Sequence, residues 1–182
     1  AFGGSFKNVQ NYISATDEAG NRFTLFTPLA PYETPDAMRE ICEEYNRAIG
    51  EGKVDPLLII PVFIHDFLCV HPFLDGNGRM SRLIMNHLQF EFGLVPAKII
   101  KEDKAQYIEA LNESREEEAM APFQKFMLKE HTQNLRNEIL EYRKSMEEDI
   151  AIADIKVQME GDGKVQKEKQ EVDQKGGPEI KK

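Results

Sequence analysis

Twelve residues concentrate the chemistry of this chain: His71-Pro72-Phe73-Leu74-Asp75-Gly76-Asn77-Gly78-Arg79-Met80-Ser81-Arg82. Pro72 disfavours helical geometry at His71, so a helix arriving there ends and leaves an imidazole at its terminus. Gly76, Asn77 and Gly78 all tolerate left-handed backbone angles. Such a stretch can turn successive N–H groups toward one point and form an anion nest. A helix starting at that nest adds its positive end to the attraction for phosphate. Arg79 and Arg82, three apart in its first turn, share a face beside the nest. Asp75 would repel a bound phosphate unless a divalent cation lay between them, and Mg²⁺ held by one carboxylate plus phosphate oxygens is the usual arrangement. The chemistry implied is the binding of a phosphate ester next to a histidine base. The bland alternative is a glycine turn capped by Asn77 and decorated with two surface arginines. It leaves unexplained a histidine, an acid and a cationic pair at a helix N-terminus, where cations are disfavoured.

The elements that must position this loop are mostly helical. A buried helix from about Val54 to Val70, apolar nearly all round, delivers His71. Pro61 inside it is expected to kink the helix or mark its true start. A helix from about Gly78 to Gly93 carries the arginines away. Before them, Thr34-Pro35 reads as a cap and first turn opening a helix to Gly50. After them come helices over about Glu102–Glu118 and Pro122–Glu148. The chain opens with two β-leaning runs, Asn8–Ser14 and Arg22–Pro28, joined by turn residues 16–21. An isolated hairpin is marginal, so it must lie on the bundle. Beyond Ile150 the sequence alternates Lys, Glu, Gln and Gly, which reads as a floppy tail or a small hairpin around Gly161-Asp162-Gly163.

The 182 residues hold 23 basic and 32 acidic side chains, a net charge of −9. Residues 151–182 balance, so residues 1–150 carry the whole excess, with 16 basic against 25 acidic side chains. An acidic body excludes nucleic acid as the main partner. The longest apolar stretch, Pro56–Ile64, is too short to cross a membrane. Cys42 and Cys69 show no paired spacing, and with no secretory leader read at Ala1, reduced thiols and a cytoplasmic location are expected. Ala1 in place of Met leaves upstream residues open.

The run from His71 to Arg82 is similar to the signature of the Fic family, His-Pro-Phe-x-Asp/Glu-Gly-Asn-Gly-Arg-x-x-Arg, with every fixed position matched. The resemblance extends over the hairpin, over Thr27-Pro28 leading into the Thr34-Pro35 helix, and over the helices to about Leu128. It implies a mainly α, Fic-type helical bundle with a small β-hairpin flap: a Fic domain over 1–148 (flap about 8–28, helical core about 34–148) and a charged tail over 149–182. It implies a protein adenylyltransferase that moves AMP from ATP to a Tyr, Thr or Ser hydroxyl of a target protein and releases pyrophosphate. His71 would be the general base and Asp75 the Mg²⁺ ligand. Gly76, Asn77 and Gly78 would cradle phosphates through backbone N–H groups and the Asn77 amide. Arg79 would lie on the β-phosphate side and Arg82 would bind the γ-phosphate. Phe73 would pack under the loop. The flap, through Val9, Tyr12, Phe23 and Leu25, would pair with the target's backbone as an added strand. Tyr107 matches the region lining adenine in relatives, though Tyr107 and Leu111 also have ordinary core spacing.

Many relatives carry an inhibitory Ser/Thr-x-x-x-Glu-Gly/Asn helix. Ser14 to Glu18 and Ser114 to Glu118 match its first part, but Ala follows in each. Glu160-Gly161 has Lys156 where Ser or Thr belongs. The inhibitor is then a segment upstream of Ala1, a separate antitoxin-like partner, or absent. The Doc-type kinase relative has Ala and Lys where this chain has Gly76 and Gly78, which argues against γ-phosphate transfer. Removal of AMP generally uses the inhibitory Glu. A nucleotide-binding module without turnover does not need His71. His65-Asp66 suggests a metal phosphohydrolase, against which a satisfied core histidine is the stronger reading.

Overall fold

A computed structural model describes residues 4–116 and 119–175. It contains a two-stranded antiparallel sheet, β1 (Ile13–Thr16) and β2 (Arg22–Phe26), followed by five helices: α1 (Thr34–Gly50), α2 (Pro56–Val70), α3 (Asn77–Glu91), α4 (Lys104–Glu116) and α5 (Ala121–Lys175). The chain is mainly α, as expected. It divides into two compact units, Ala1–Leu135 and Arg136–Lys182.

In the first unit α2 is the axis. Asp55 caps it by accepting the Leu57 N–H at 2.8 Å, and Pro56 occupies the first turn, where no N–H is needed. Pro61 does not mark the start, because the helix begins at Pro56 and runs on through it. The ring costs the helical hydrogen bond to the Leu57 carbonyl, and the next carbonyl along, that of Leu58, accepts Gln124 Nε2 of α5 at 3.1 Å. An all-apolar helix has to be enclosed on every side. Ile60, Ile64 and Phe67 are accordingly 1% exposed, with α1 and α3 on two flanks and Leu111, Phe123 and Met127 of α4 and α5 in the same core. Burying a side chain of that size contributes about 1.5–3 kcal/mol.

Three expectations change. Thr34 does not cap α1. Its hydroxyl donates back to the Ala30 carbonyl at 3.0 Å, and Glu33, one residue earlier, takes the Ala30 N–H on its carboxylate at 3.1 Å. The first strand starts at Ile13 rather than Asn8, so Val9 and Tyr12 precede it. The cause is that Lys7 and Asn11 spend their hydrogen bonds on the loop after α2. Within the hairpin Ser14, Ala15 and Thr16 face Thr24, Phe23 and Arg22, with an irregularity between Ile13 and Ser14. Finally, α5 does not stop near Glu148 and no hairpin forms at Gly161–Gly163, because the helix continues to Lys175. Each glycine costs about 1 kcal/mol in a helix, and the surrounding Glu, Lys and Gln are good helix formers. Among the described residues no helix is long and apolar enough to cross a membrane.

Candidate active site

α2 ends at His71 in a left-handed conformation, φ 52° and ψ 60°, and among the described residues no other non-glycine residue has positive φ. Such a backbone costs about 1–3 kcal/mol and needs surroundings that enforce it. Two residues from far upstream supply them. Lys7, only 3% exposed, donates its Nζ to the Val70 carbonyl at 2.9 Å and its backbone N–H to the Pro72 carbonyl at 2.8 Å. Asn11 donates its amide to the carbonyls of His71 at 3.3 Å and Phe73 at 2.9 Å, and accepts Lys7 Nζ at 3.1 Å. Four consecutive carbonyls, 70 to 73, are thereby satisfied where a helix end normally leaves them without partners. The ammonium also sits at the negative end of α2.

The His71 imidazole is half-buried. Desolvation lowers its pKa from the usual histidine value, and the positive charges of Lys7 and Arg115 push the same way. The Leu68 carbonyl opposes them in part but does not reach hydrogen-bonding geometry with Nδ1, which is buried without a partner. The ring is thus neutral near pH 7, as a general base must be.

Gly76, at φ 85°, is the residue before α3, and its carbonyl accepts the Met80 N–H at 2.8 Å. Asn77 is 1% exposed, and both ends of its amide are engaged within the loop: Oδ1 accepts the Phe73 N–H at 2.9 Å and Nδ2 donates to the Phe73 carbonyl at 2.7 Å. The amide expected on a phosphate is therefore a staple across the loop, and what Asn77 offers a ligand is its backbone N–H. Phe73 packs as expected, its ring 6.2 Å from both Phe67 and Phe6. Both arginines fold back over the glycines. A Cβ on Gly76 would lie 3.6 Å from Arg79 Nη2, and one on Gly78 would lie 3.7 Å from Arg82 Nη1. Asp75 accepts Arg79 Nη2 at 3.2 Å and the Gly76 N–H at 2.6 Å, while its carboxylate remains open to solvent. A cavity of about 800 Å³ opens beside them, walled largely by Phe6, Leu74, Met80 and Leu83.

Residues 1–89, which include this loop, match the Fic/DOC family model. Over that stretch, just under half of its length, the chain is similar to the Fic family. A Fido domain-containing protein of Dictyostelium discoideum is 31% identical over 83 residues, 46% of this chain and 58% of that protein. A probable protein adenylyltransferase of Aquifex aeolicus is 34% identical over 91 residues, 50% of this chain and 27% of the relative. The crystal structure of a Fic domain-containing signalling protein from Bacteroides thetaiotaomicron superposes with a TM-score of 0.60 at 25% identity, covering 71% of this chain and 53% of that one. The chain thus spans between about a quarter and three fifths of these relatives.

Tyr107 packs against the core. Its ring meets Phe123 and Phe126 edge-on at 5.5 and 5.8 Å. Burial pushes its hydroxyl up to about 12, against the opposing pull of Arg82 and of a hydrogen bond with Ser81. It does not line the cavity beside the loop. The four flap residues are all exposed: Val9 and Tyr12 ahead of β1, Phe23 and Leu25 on β2. Ser14 lies in β1, and Ser114 is buried in α4 with its Oγ accepting the Phe123 N–H, so neither heads a free inhibitory helix. Glu118 and the side chain of Glu160 lie outside the described residues.

His65 is 8% exposed and bonds Asp66 at 2.9 Å, and among the described residues no three His, Cys, Asp or Glu side chains converge as a metal cage. Burial alone would lower His65, but Asp66 and the neighbouring Cys69 raise it to about 9. Sequence reading missed Lys7, Asn11 and Arg115. The Arg115 guanidinium bonds the Leu68 carbonyl at 3.1 Å and Cys69 Sγ at 3.4 Å, and lies 4.0 Å over the Phe26 ring at the end of β2. No local pattern marks any of the three, because the α2-end and hairpin groups they hold are 46 to 89 residues away.

Proposed function

We propose that this chain transfers AMP from ATP to a hydroxyl-bearing side chain of another protein. The observation that carries the reading is a neutral imidazole, its buried Nδ1 without a hydrogen-bond partner, at the end of α2 and one short loop away from a glycine turn over which two guanidinium groups fold. The names of relatives as protein adenylyltransferases support it at the level of the family.

The backbone N–H groups of residues 77 and 78 at the start of α3 receive phosphate oxygens, joined by that of Gly76 once Asp75 releases it, with Arg79 toward the β-phosphate and Arg82 on the γ-phosphate. Held so, the α-phosphorus faces the incoming hydroxyl in line. His71 takes the hydroxyl proton as the oxygen–phosphorus bond forms. The bond from the α-phosphorus to the bridging oxygen breaks, and pyrophosphate leaves. Asp75 fits a Mg²⁺ ligand: its carboxylate is solvent-open, its partners are the neighbouring Gly76 N–H and the exposed Arg79, and one carboxylate is what a Mg²⁺ ion arriving with nucleotide phosphates requires. That ion would neutralise charge building on the phosphates. The apolar cavity beside Arg79 offers room for the nucleoside, and the exposed edge of the hairpin offers a strand for the target.

The test is incubation of a cell lysate with the purified chain, Mg²⁺ and ATP labelled at either the α- or the γ-phosphate, with His71→Ala as control. Protein-bound label from the α position alone, lost in the variant, is the expected result. Label from the γ position would replace this reading with a kinase. No label from either would leave a binding module.

A further inference from the structure

The unit from Arg136 onward carries a stripe that α5 leaves uncovered. Ile139, Tyr142, Met146 and Ile150 are 44%, 67%, 45% and 58% exposed. Their spacings of three, four and four place them within about 80° of arc on one face, and Ala153 extends it. Four turns of helix, about 21 Å long, thus present a continuous apolar seam to solvent. Scattered apolar side chains are ordinary on a surface, but an aligned row along an exposed helix marks a contact.

The charges beside the seam select what covers it. Arg143 and Glu147 flank the same side, one on either side of Met146 along the axis, and the sequence Arg143-Lys144-Ser145-Met146-Glu147-Glu148-Asp149 changes sign at that methionine. When two such helices run antiparallel about an axis through Met146, the same flank of each meets the other. Arg143 of one then lies beside Glu147 of its partner, twice by symmetry. Further out, Glu138 falls opposite Lys156. A parallel, in-register pair would instead set Glu147 against Asp149, and like charges across a helical seam are unfavourable. Of these two arrangements only the antiparallel one is complementary to itself. We propose that this face binds a second copy of the chain, antiparallel, with the two Met146 side chains meeting on the twofold axis. The contact is isologous and therefore closes at a dimer.

Sedimentation equilibrium of the 182-residue chain from low to high micromolar concentration should give a reversible monomer–dimer mass. Met146→Asp should weaken association at least tenfold, with the thermal transition of the helical core unchanged. Arg143→Glu and Glu147→Arg should each weaken it, and the two together should restore it, because the swap rebuilds both pairs in the reverse sense. A chain that stays monomeric throughout overturns the proposal, as does a dimer indifferent to Met146→Asp. Failure of the double exchange to recover association overturns the antiparallel register.

Discussion

The loop after α2 and the hairpin before α1 are both short chain reversals on the first unit, and they are held in opposite ways. In the loop, Phe73 has its N–H and its carbonyl bonded to Asn77, and the carbonyls of residues 70–73 are all taken by Lys7 and Asn11. In the hairpin, the first four residues of β2 are exposed. Its turn is closed by Asp17 on the Asn21 N–H at 2.7 Å, and its base is anchored by Gln10 on the Pro28 carbonyl and by Arg115 over Phe26. The contrast fits the roles proposed for the two. Phosphoryl chemistry requires donors fixed to a fraction of an ångström, which only a fully bonded loop provides. A docking strand has to adapt to a partner, and the weakly bonded, solvent-exposed parts of a fold are the ones able to do so.

The largest expected effect breaks the rigid side of that comparison. His71→Ala should reduce transfer by at least about a hundredfold, the usual contribution of a positioned base, while ATP affinity measured by calorimetry changes little. A comparable loss of ATP binding would mean that His71 holds nucleotide rather than a proton. The pH profile sharpens the point. If the unprotonated ring acts as the proposed base, its pKa being lowered by burial, the acid limb of kcat/KM should fall below pH 6.5. Lys7→Met comes next. It removes the donor to the buried Val70 carbonyl and should cost about 1–3 kcal/mol in urea unfolding. It also removes a positive charge that depresses His71, so the acid limb should move upward toward 6.5. An unmoved limb would remove Lys7 from the electrostatics of the site.

How much of this was legible in the sequence differs between the same two regions. The loop's residue types were all readable, because each has a local reason: Pro72 to end a helix, Gly76 for a left-handed angle, two arginines one turn apart. What the residues do was less so. The family resemblance implies that the Asn77 amide is a phosphate ligand, yet its hydrogen bonds to Phe73 make it a staple. Lys7 and Asn11 could not be found at all, since a buried lysine 63 residues from its acceptor leaves no periodic trace. For the hairpin the reverse held. Two β-leaning runs joined by turn residues announced strands, but the side-chain commitments of residues 7 and 11 shortened the first of them. The long continuation of α5 was hidden by two glycines, whose local cost a run of good helix formers outweighs.

A smaller effect should come from the join between the two regions. Arg115→Ala removes the cation over Phe26 and the donor to Leu68, about 1–2 kcal/mol together, and hydrogen exchange across Ile13–Phe26 should quicken while residues 73–77 stay protected. The same variant has a second readout at Cys69. Burial alone would raise that thiol, but hydrogen bonds from His65 and Arg115 bring it below the usual value. Without Arg115, the pH midpoint for its alkylation should rise. Equal loosening of loop and hairpin would show that Arg115 supports the whole core rather than the seat of the flap.

The smallest expected change in stability tests the adaptable side. Leu25 lies on β2 with 38% of its surface exposed and sits outside the core cluster. Leu25→Ser should therefore shift unfolding by no more than about 0.5 kcal/mol, as surface substitutions do. If the hairpin edge receives a target strand, the same substitution should raise KM for the target several-fold and leave KM for ATP unchanged. That split separates docking from folding: a strand that merely covered the bundle would show neither change, and a strand that shaped the phosphate site would move both.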